Sequence, residues 1–263
     1  MTRLEVQAHR ARALLLFVLV SPGVICAQGI GRGPAGPPAT PKAVAPVDLT
    51  GYWVSIVTED WRWRMVTPAK GDYASVPLNP EGRRVADGWD PAKDEAAGEQ
   101  CRAYGAAGLM RLPERVHIQW ENDTALRVDT DAGTQSRAFR FGAPTATAPN
   151  PSWQGTSVAN WETMPAGRAA FGAPDVGVPS GALHVVTTHL RPGYLRKNGV
   201  PYSENTTLTE YYNVTKEPDG DQWLIVTTIV DDPKYLNQRF ITSSHFKKEP
   251  DGSKWSPTPC TSR

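Results

Sequence analysis

His189 and Glu210 are the residues best suited to proton transfer, because an imidazole and a carboxylate in contact form an acid/base pair. Strands are predicted over residues 183–190 and 206–215, and alternation along the second places Glu210 on one face with Tyr212. If both strands turn these faces into one barrel, the imidazole and the carboxylate meet in a partly dry interior. The more ordinary interpretation is a structural hydrogen bond or exposure to solvent.

Other residues are candidates for contacting a small molecule. Loops beside the two strands supply Arg196, Asn198, Ser203 and Asp232, and Tyr212 adds an aromatic ring. The segment 61–66 (WRWRMV) alternates bulky apolar and basic residues as a strand does. Trp61 and Trp63 would then line a pocket, with the intervening arginines facing an anion. Core packing with a charged outer face explains the same stripe.

The sequence lacks the local signatures of the common zinc, acyl-transfer and nucleotide-binding classes. Asp231-Asp232-Pro233 offers carboxylate oxygens to a metal, but Asp before Pro more often starts a turn. We therefore expect no metal and no cofactor. The net charge of +1 provides no broad field for nucleic acid or an anionic membrane, so nucleic acid is not an expected partner.

The N-terminus has the pattern of a secretory signal. Three arginines precede the apolar run 13–20, and small residues lead to a cleavage point predicted after Ala27. That run is too short to cross a bilayer, and no later segment resembles a transmembrane span. We expect a periplasmic or secreted protein. Residues 28–47, rich in Gly and Pro, are predicted to form a disordered tether.

Cys101 and Cys260 remain after signal removal, in a chain bound for an oxidising compartment. This predicts one disulfide, with two buried thiols as the alternative. Neither cysteine lies in a CxxC motif, so redox catalysis is not expected.

Residues 48–263 read as a single domain of short strands. The chain has 24 Pro, 23 Gly and nine Trp, which favours many turns around a large aromatic core. Strands are predicted from Thr50 to Val57, then in a meander over 115–141, and then in five further segments up to Lys247. We predict a mainly β fold, a single antiparallel, lipocalin-like barrel.

Helices and turns complete this prediction. Helix is expected only over 79–97, in two short pieces separated at Pro91. The pattern KEPDGxxW occurs at Lys216–Trp223 and again at Lys248–Trp255, which predicts two hairpin turns.

Five segments resemble the core of a large group of secreted bacterial proteins. They are Ser152–Glu162, Gly181–His189, Asn198–Glu204, Leu208–Tyr212 and Ile229–Pro233. The group's pattern reads GxSxGxWEGDTLVVxT, then PHSExxxxTERY, then TIDDP; Cys101 and Gly108–Pro113 resemble its CxPxGMPR stretch. The resemblance implies a secreted β-rich fold and no named activity. Here an insertion over Thr163–Ser180 splits the first motif, and Tyr202 stands where the group has histidine.

The leading functional hypothesis is a barrel that holds a small apolar or aromatic molecule in its interior. The alternative is an enzyme on the same barrel, an isomerase, cyclase or hydratase that uses His189 and Glu210. A second alternative is an envelope interaction module built around the inserted loop. The sequence leaves the oligomeric state open.

Overall fold

The computed structural model describes residues 38–143, 150–164 and 180–263. The strands are β1 (Gly51–Ile56), β2 (Arg115–Asn122), β3 (Ala125–Thr130), β4 (Gln135–Phe141), β5 (Thr156–Met164), β6 (Ser180–Thr188), β7 (Gly193–Arg196), β8 (Val200–Tyr202), β9 (Thr207–Lys216), β10 (Gln222–Asp231) and β11 (Phe240–Glu249). The helices are α1 (Trp61–Arg64), α2 (Pro80–Asp87), α3 (Pro91–Ala96) and α4 (Ala106–Leu109), with a 3₁₀ helix at Gln100–Tyr104. The predicted signal segment 1–27 lies outside the described residues.

Nine strands close into a barrel in the order β1-β11-β10-β9-β6-β5-β4-β3-β2. Closure is complete because β1 pairs with β2 on one side and with β11 on the other. A closed sheet leaves no long unpaired edge among these strands. The prediction of a mainly β barrel with few short helices is confirmed.

One strand pair departs from the predicted antiparallel pattern. β4 and β5 run parallel, and they pair only over Phe139–Phe141 and Ser157–Ala159. Parallel neighbours require a connection that returns the chain to the same end of the sheet. Residues 142–155 make that connection, which sequence alternation cannot distinguish from a hairpin loop.

The barrel interior has an apolar half that its own side chains fill. Trp53, Phe139, Tyr212 and Phe246 are each fully buried there, and the rings of Phe139 and Tyr212 lie 5.3 Å apart, edge to face. Side chains without surface accessible to water leave no room beside them for a ligand. The expected ligand space is therefore absent from this half of the described barrel.

Helices and a hairpin cover one end of the barrel. Residues 61–112 carry the four short α-helices, and β7 pairs with β8 beside them. The two predicted helical pieces are confirmed: Pro80 and Pro91 each begin a helix, behind the N-cap side chains of Asn79 and Asp90. Helix is not confined to 79–97 as predicted, because α1, α4 and the 3₁₀ helix lie outside that range. A second apolar cluster, which includes Leu208, joins this cap to the barrel end.

The predicted strand over 61–66 is wrong. Residues Trp61–Arg64 form one helical turn, in which Met65 N donates to Trp61 O at 2.9 Å. Trp61 is 66% exposed, whereas Arg64 is buried in an ion pair with Glu59. The ion pair of Arg64 with Glu59 therefore determines which side of this helical turn faces inward. The positions of the tryptophans do not determine it.

Ordered contacts begin before the predicted boundary at residue 48. Residues 39–263 form one compact unit, and the indole Nε1 of Trp161 donates to Pro41 O at 2.8 Å. The last part of the predicted tether therefore packs on the barrel wall.

Cys101 and Cys260 form the predicted disulfide, with their Cα atoms 5.1 Å apart.

No helix within the described residues is long and apolar enough to cross a membrane.

Candidate functional site

Glu210 lies inside the barrel, in a layer of polar side chains between the apolar half and the cap. Its carboxylate accepts two hydrogen bonds from Arg137, at 2.9 and 2.5 Å, and one from the Tyr212 hydroxyl at 3.1 Å. Thr187 and Ser157 continue the network beyond Arg137. Burial alone would lower the pKa of Arg137, but attraction to Glu210 outweighs it and the pKa is raised.

The structure does not bring His189 to Glu210. His189 follows β6, has a φ of 54°, is exposed, and hydrogen-bonds the hydroxyl of its neighbour Thr188 at 2.9 Å. The left-handed backbone at His189 ends the strand alternation on which the predicted shared face depended. The partners of Glu210 are Arg137 and Tyr212 instead, so the expected imidazole–carboxylate contact is absent.

Glu114 is a second carboxyl group in the polar layer. It lies directly before β2, is buried, and has no hydrogen-bond partner for either carboxyl oxygen among the described residues. Burial and repulsion from Asp131 raise its pKa well above the ordinary value. The buried hydroxyls of Thr228 and Ser244 are likewise without partners in the described chain.

The Glu114→Gln variant is expected to be more stable than the wild type at pH 8. A raised folded-state pKa costs stability as pH rises from the unfolded value through the folded one, because ionisation is disfavoured only in the folded protein. The amide cannot ionise, so the gain should vanish near pH 4. Urea unfolding across this range measures it; an equal difference at both pH values would contradict the assignment.

Ser203 and Asp232 lie together in a buried turn. The Asp232 carboxylate accepts from Ser203 N at 2.6 Å and from Ser203 Oγ at 2.8 Å, and also from Thr206 Oγ1 at 3.1 Å. Backbone N–H groups of Lys234 and Tyr235 complete its partners. Both oxygens of the Asp232 carboxylate accept hydrogen bonds from the protein. This arrangement is typical of an aspartate that closes a turn.

The remaining predicted ligand residues lie in or around the cap. Trp61 projects into solvent, while Trp63 lies beside Arg196, whose Cζ is 5.4 Å from the indole centroid. Asn198 is buried and donates to Ala69 O at 3.1 Å and to the backbone of Asp72 at 2.9 Å. Tyr212 is in the barrel interior. The structure therefore distributes the predicted residues over several places.

A cavity of about 390 Å³ lies between the cap helices and the β7–β8 hairpin. We call it the cap cavity. Its aromatic walls come from Trp89, Tyr194, Tyr202 and Tyr235, and its basic groups are Arg84, Lys93 and Arg102. Pro192 and Pro201 also line it. Its volume and its mixture of rings with a few polar groups are typical of small-molecule sites.

Three polar atoms of the cap-cavity residues are buried without a hydrogen-bond partner in the described part of the chain. They are the indole Nε1 of Trp89, Nε of Arg102 and the hydroxyl of Tyr202. All three can donate a hydrogen bond. Native proteins leave few such groups unpaired, because each costs about 1–3 kcal/mol. Three residues that line this one cavity therefore carry a donor without an acceptor among the described residues.

Asp94 holds the basic and aromatic walls in place. Its carboxylate accepts from Arg102 Nη1 at 2.9 Å and from the Tyr194 hydroxyl at 2.9 Å. The Arg102 guanidinium also lies 4.7 Å from the centre of the Tyr194 ring. Burial raises the pKa of Tyr194, with a further contribution from Asp94. Asp90 is the second carboxylate that lines the cavity, and it pairs with Lys93 at 4.0 Å.

The β7–β8 hairpin packs closely against the cap because two of its positions, Gly193 and Gly199, have no side chain. Gly199 has a φ of +82°, and a Cβ there would collide with the indole of Trp89. A Cβ on Gly193 would lie 2.6 Å from the Tyr202 hydroxyl. Both rings therefore pack directly on backbone. Burial raises the pKa of Tyr202, so its hydroxyl stays protonated at neutral pH.

Sequence reasoning did not select Trp89, Asp94, Arg102 or Tyr194, and it noted Tyr202 only as a substituted histidine. These residues come from segments more than ninety positions apart, so no local spacing connects them. One feature of the sequence could have indicated this site: Tyr202 is a polar aromatic residue at the position where the similar proteins have the histidine of the PHSE motif.

Comparisons with family models, curated proteins and solved structures give no match to this chain. The candidate site therefore depends on its geometry.

Proposed function

We propose that this protein binds a small aromatic or alicyclic molecule in the cap cavity, through a carboxylate or carbonyl oxygen. The supporting observation is the group of three unpartnered donors, Trp89 Nε1, Arg102 Nε and Tyr202 Oη, at an aromatic cavity of about 390 Å³. The rings would cover the apolar body of the ligand, and the donors would hold its oxygen.

This proposal keeps the predicted ligand class and changes its location. The apolar half of the barrel is filled by its own rings, whereas the cap cavity is open and is lined by rings and by residues that carry donors. The cations of the cavity pair with carboxylates, Arg84 with Glu81, Lys93 with Asp90 and Arg102 with Asp94. An oxygen acceptor is therefore favoured by the donors that make no hydrogen bond within the described chain, and not by excess positive charge. We further propose that the protein acts in the periplasm or outside the cell, as the signal pattern and the disulfide suggest.

The Tyr202→Phe variant tests this proposal with little risk to the fold. It removes only a hydroxyl that has no partner in the described protein, so the free energy of unfolding should stay equal or rise. Affinity for an aromatic carboxylate should fall about tenfold, the value of one hydrogen bond to a charged group. Benzoate, salicylate and phenylacetate serve as probes, with benzamide and toluene to separate charge from shape.

Binding is measured by calorimetry and by the change in tryptophan fluorescence on titration, to which Trp89 contributes. Tyr211→Phe is the matched control, since Tyr211 stacks on His184 at the barrel wall and not in the cavity. Saturable binding by the wild type and the control, weakened in Tyr202→Phe, supports the proposal. Absence of saturable binding to every probe, or equal affinity in both variants, overturns it.

A further inference from the structure

A separate group of buried arginines lies on the other side of the cap. Arg64, Arg111 and Arg196 line a small cavity of about 40 Å³ together with Trp63 and Lys197. The three arginines come from α1, from the end of the helical segment and from β7, and each is at least nine-tenths buried. Burying this many guanidinium groups is costly unless anions compensate them.

Protein carboxylates compensate two of these three arginines. Arg64 pairs with Glu59, and Arg111 pairs with Asp60 at 2.9 Å. Asp72 is engaged by Arg62 at 3.1 Å. Glu114 also lies near Arg64, but burial raises its pKa and so favours its uncharged form.

Arg196 has no carboxylate partner among the described residues, although it is only 5% exposed. It donates to Ala74 O at 2.8 Å and to Ser75 Oγ at 2.6 Å, both uncharged acceptors. Burial and the nearby Arg111 lower its pKa to about 10. The fourth buried arginine, Arg137, is paired with Glu210, so Arg196 is the exception among the four.

Two donors at this cavity are also unpartnered within the described chain. They are Nη1 of Arg111 and Nε of Arg196, both buried. Lys197 adds a further cation whose ammonium group donates to the Thr261 hydroxyl at 2.7 Å and forms no salt bridge with a described residue. The cavity thus has excess positive charge and free N–H groups, and lacks an anion.

We propose that this cavity binds a small inorganic oxyanion, phosphate or sulfate, between Arg111 and Arg196. The anion would supply the charge that Arg196 lacks and accept from the two free N–H groups. The space holds about three waters, at 10–15 Å³ each, which matches a tetrahedral oxyanion and excludes a larger body. This site is independent of the cap cavity and of its proposed ligand.

Sodium phosphate and sodium sulfate are the probes, compared with sodium chloride at the same ionic strength. For the wild-type protein, calorimetry should give saturable binding of phosphate or sulfate. Either ion should raise the midpoint of thermal unfolding more in the wild type than in Arg196→Gln, because general salt stabilisation acts on both proteins alike. Arg196→Gln should weaken that binding by about tenfold or more, because it removes a charge-assisted hydrogen bond. Arg127→Gln, an exposed arginine on β3 that lines neither cavity, should bind as the wild type does.

Arg196→Lys guards against a folding defect. It keeps the positive charge but loses the Nε donor, so it should fold as judged by circular dichroism and still bind more weakly than the wild type. Equal stabilisation by chloride and phosphate would overturn the proposal, since it would indicate general screening. Unchanged phosphate affinity in folded Arg196→Gln and Arg196→Lys proteins would overturn it as well.

Discussion

Replacing Glu210 with alanine is expected to lower the free energy of unfolding by about 3–5 kcal/mol. Glu210 is fully buried, and it is the carboxylate that neutralises Arg137 inside the barrel. Without it, Arg137 keeps a charge in a low-dielectric interior with only hydroxyl partners such as Thr187. The penalty is that of an uncompensated buried charge, which is larger than the value of a hydrogen bond.

The double variant Arg137→Met with Glu210→Leu separates charge from packing. Removing both charges and filling the space with apolar side chains should recover most of the loss, because a buried ion pair and its apolar replacement are often similar in stability. We therefore expect the free energies of unfolding to be non-additive, with a loss in the double variant that is smaller than the sum of the losses in the two single variants.

Urea unfolding of Arg137→Met, Glu210→Leu and the double variant, with Glu210→Ala beside them, provides the measurement. Glu81→Ala is the control, because Glu81 pairs with Arg84 on the exposed face of α2 and its loss should leave the midpoint almost unchanged. A double variant as unstable as Glu210→Ala would show that shape, and not charge, dominates at this site.

Removing the disulfide by Cys101→Ala with Cys260→Ala is expected to lower the free energy of unfolding by about 4–5 kcal/mol in the chain-entropy model. The bridge joins residues 159 positions apart, so it strongly restricts the unfolded chain. It also ties the last residues of the chain to the 3₁₀ helix Gln100–Tyr104.

The same change should weaken binding in the cap cavity. Arg102 follows Cys101 directly and points its guanidinium to Asp94 and the Tyr194 ring. Loss of the anchor would loosen the segment that positions the free Nε donor.

Thermal and urea unfolding of the oxidised wild type, the reduced wild type and the double alanine variant test this, with benzoate affinity as the second readout. The reduced wild type should resemble the double variant. Equal midpoints for the oxidised and reduced proteins would contradict the prediction.

The repeated KEPDGxxW pattern shows that local sequence predicts a turn but not whether a hairpin follows it. At Lys216–Trp223 it makes the predicted hairpin between β9 and β10, with Gly220 at a φ of +90°. At Lys248–Trp255 it ends β11, and no hairpin partner follows. The turn chemistry is the same, but the first copy precedes an apolar strand and the second precedes a segment rich in Pro, which cannot donate to a ladder.

The sequence predicted the fold class, the meander, the proline-initiated helices and the cysteine pair, because each depends on spacing or composition within a short stretch. It placed Glu210 on one face of its strand with Tyr212, and the structure turns that face into the barrel.

Tertiary structure alone decided which charges meet. Nothing local connects Arg137 with Glu210, or Trp89 with Tyr202, and the left-handed backbone at His189 removed the one pairing that alternation predicted. Alternation along a strand specifies the face on which a side chain lies. The partners of that side chain depend on how the strands and the cap come together in the folded protein. The physical reason is that burying a charge or a donor is costly, so the folded chain pairs such groups wherever closure places them.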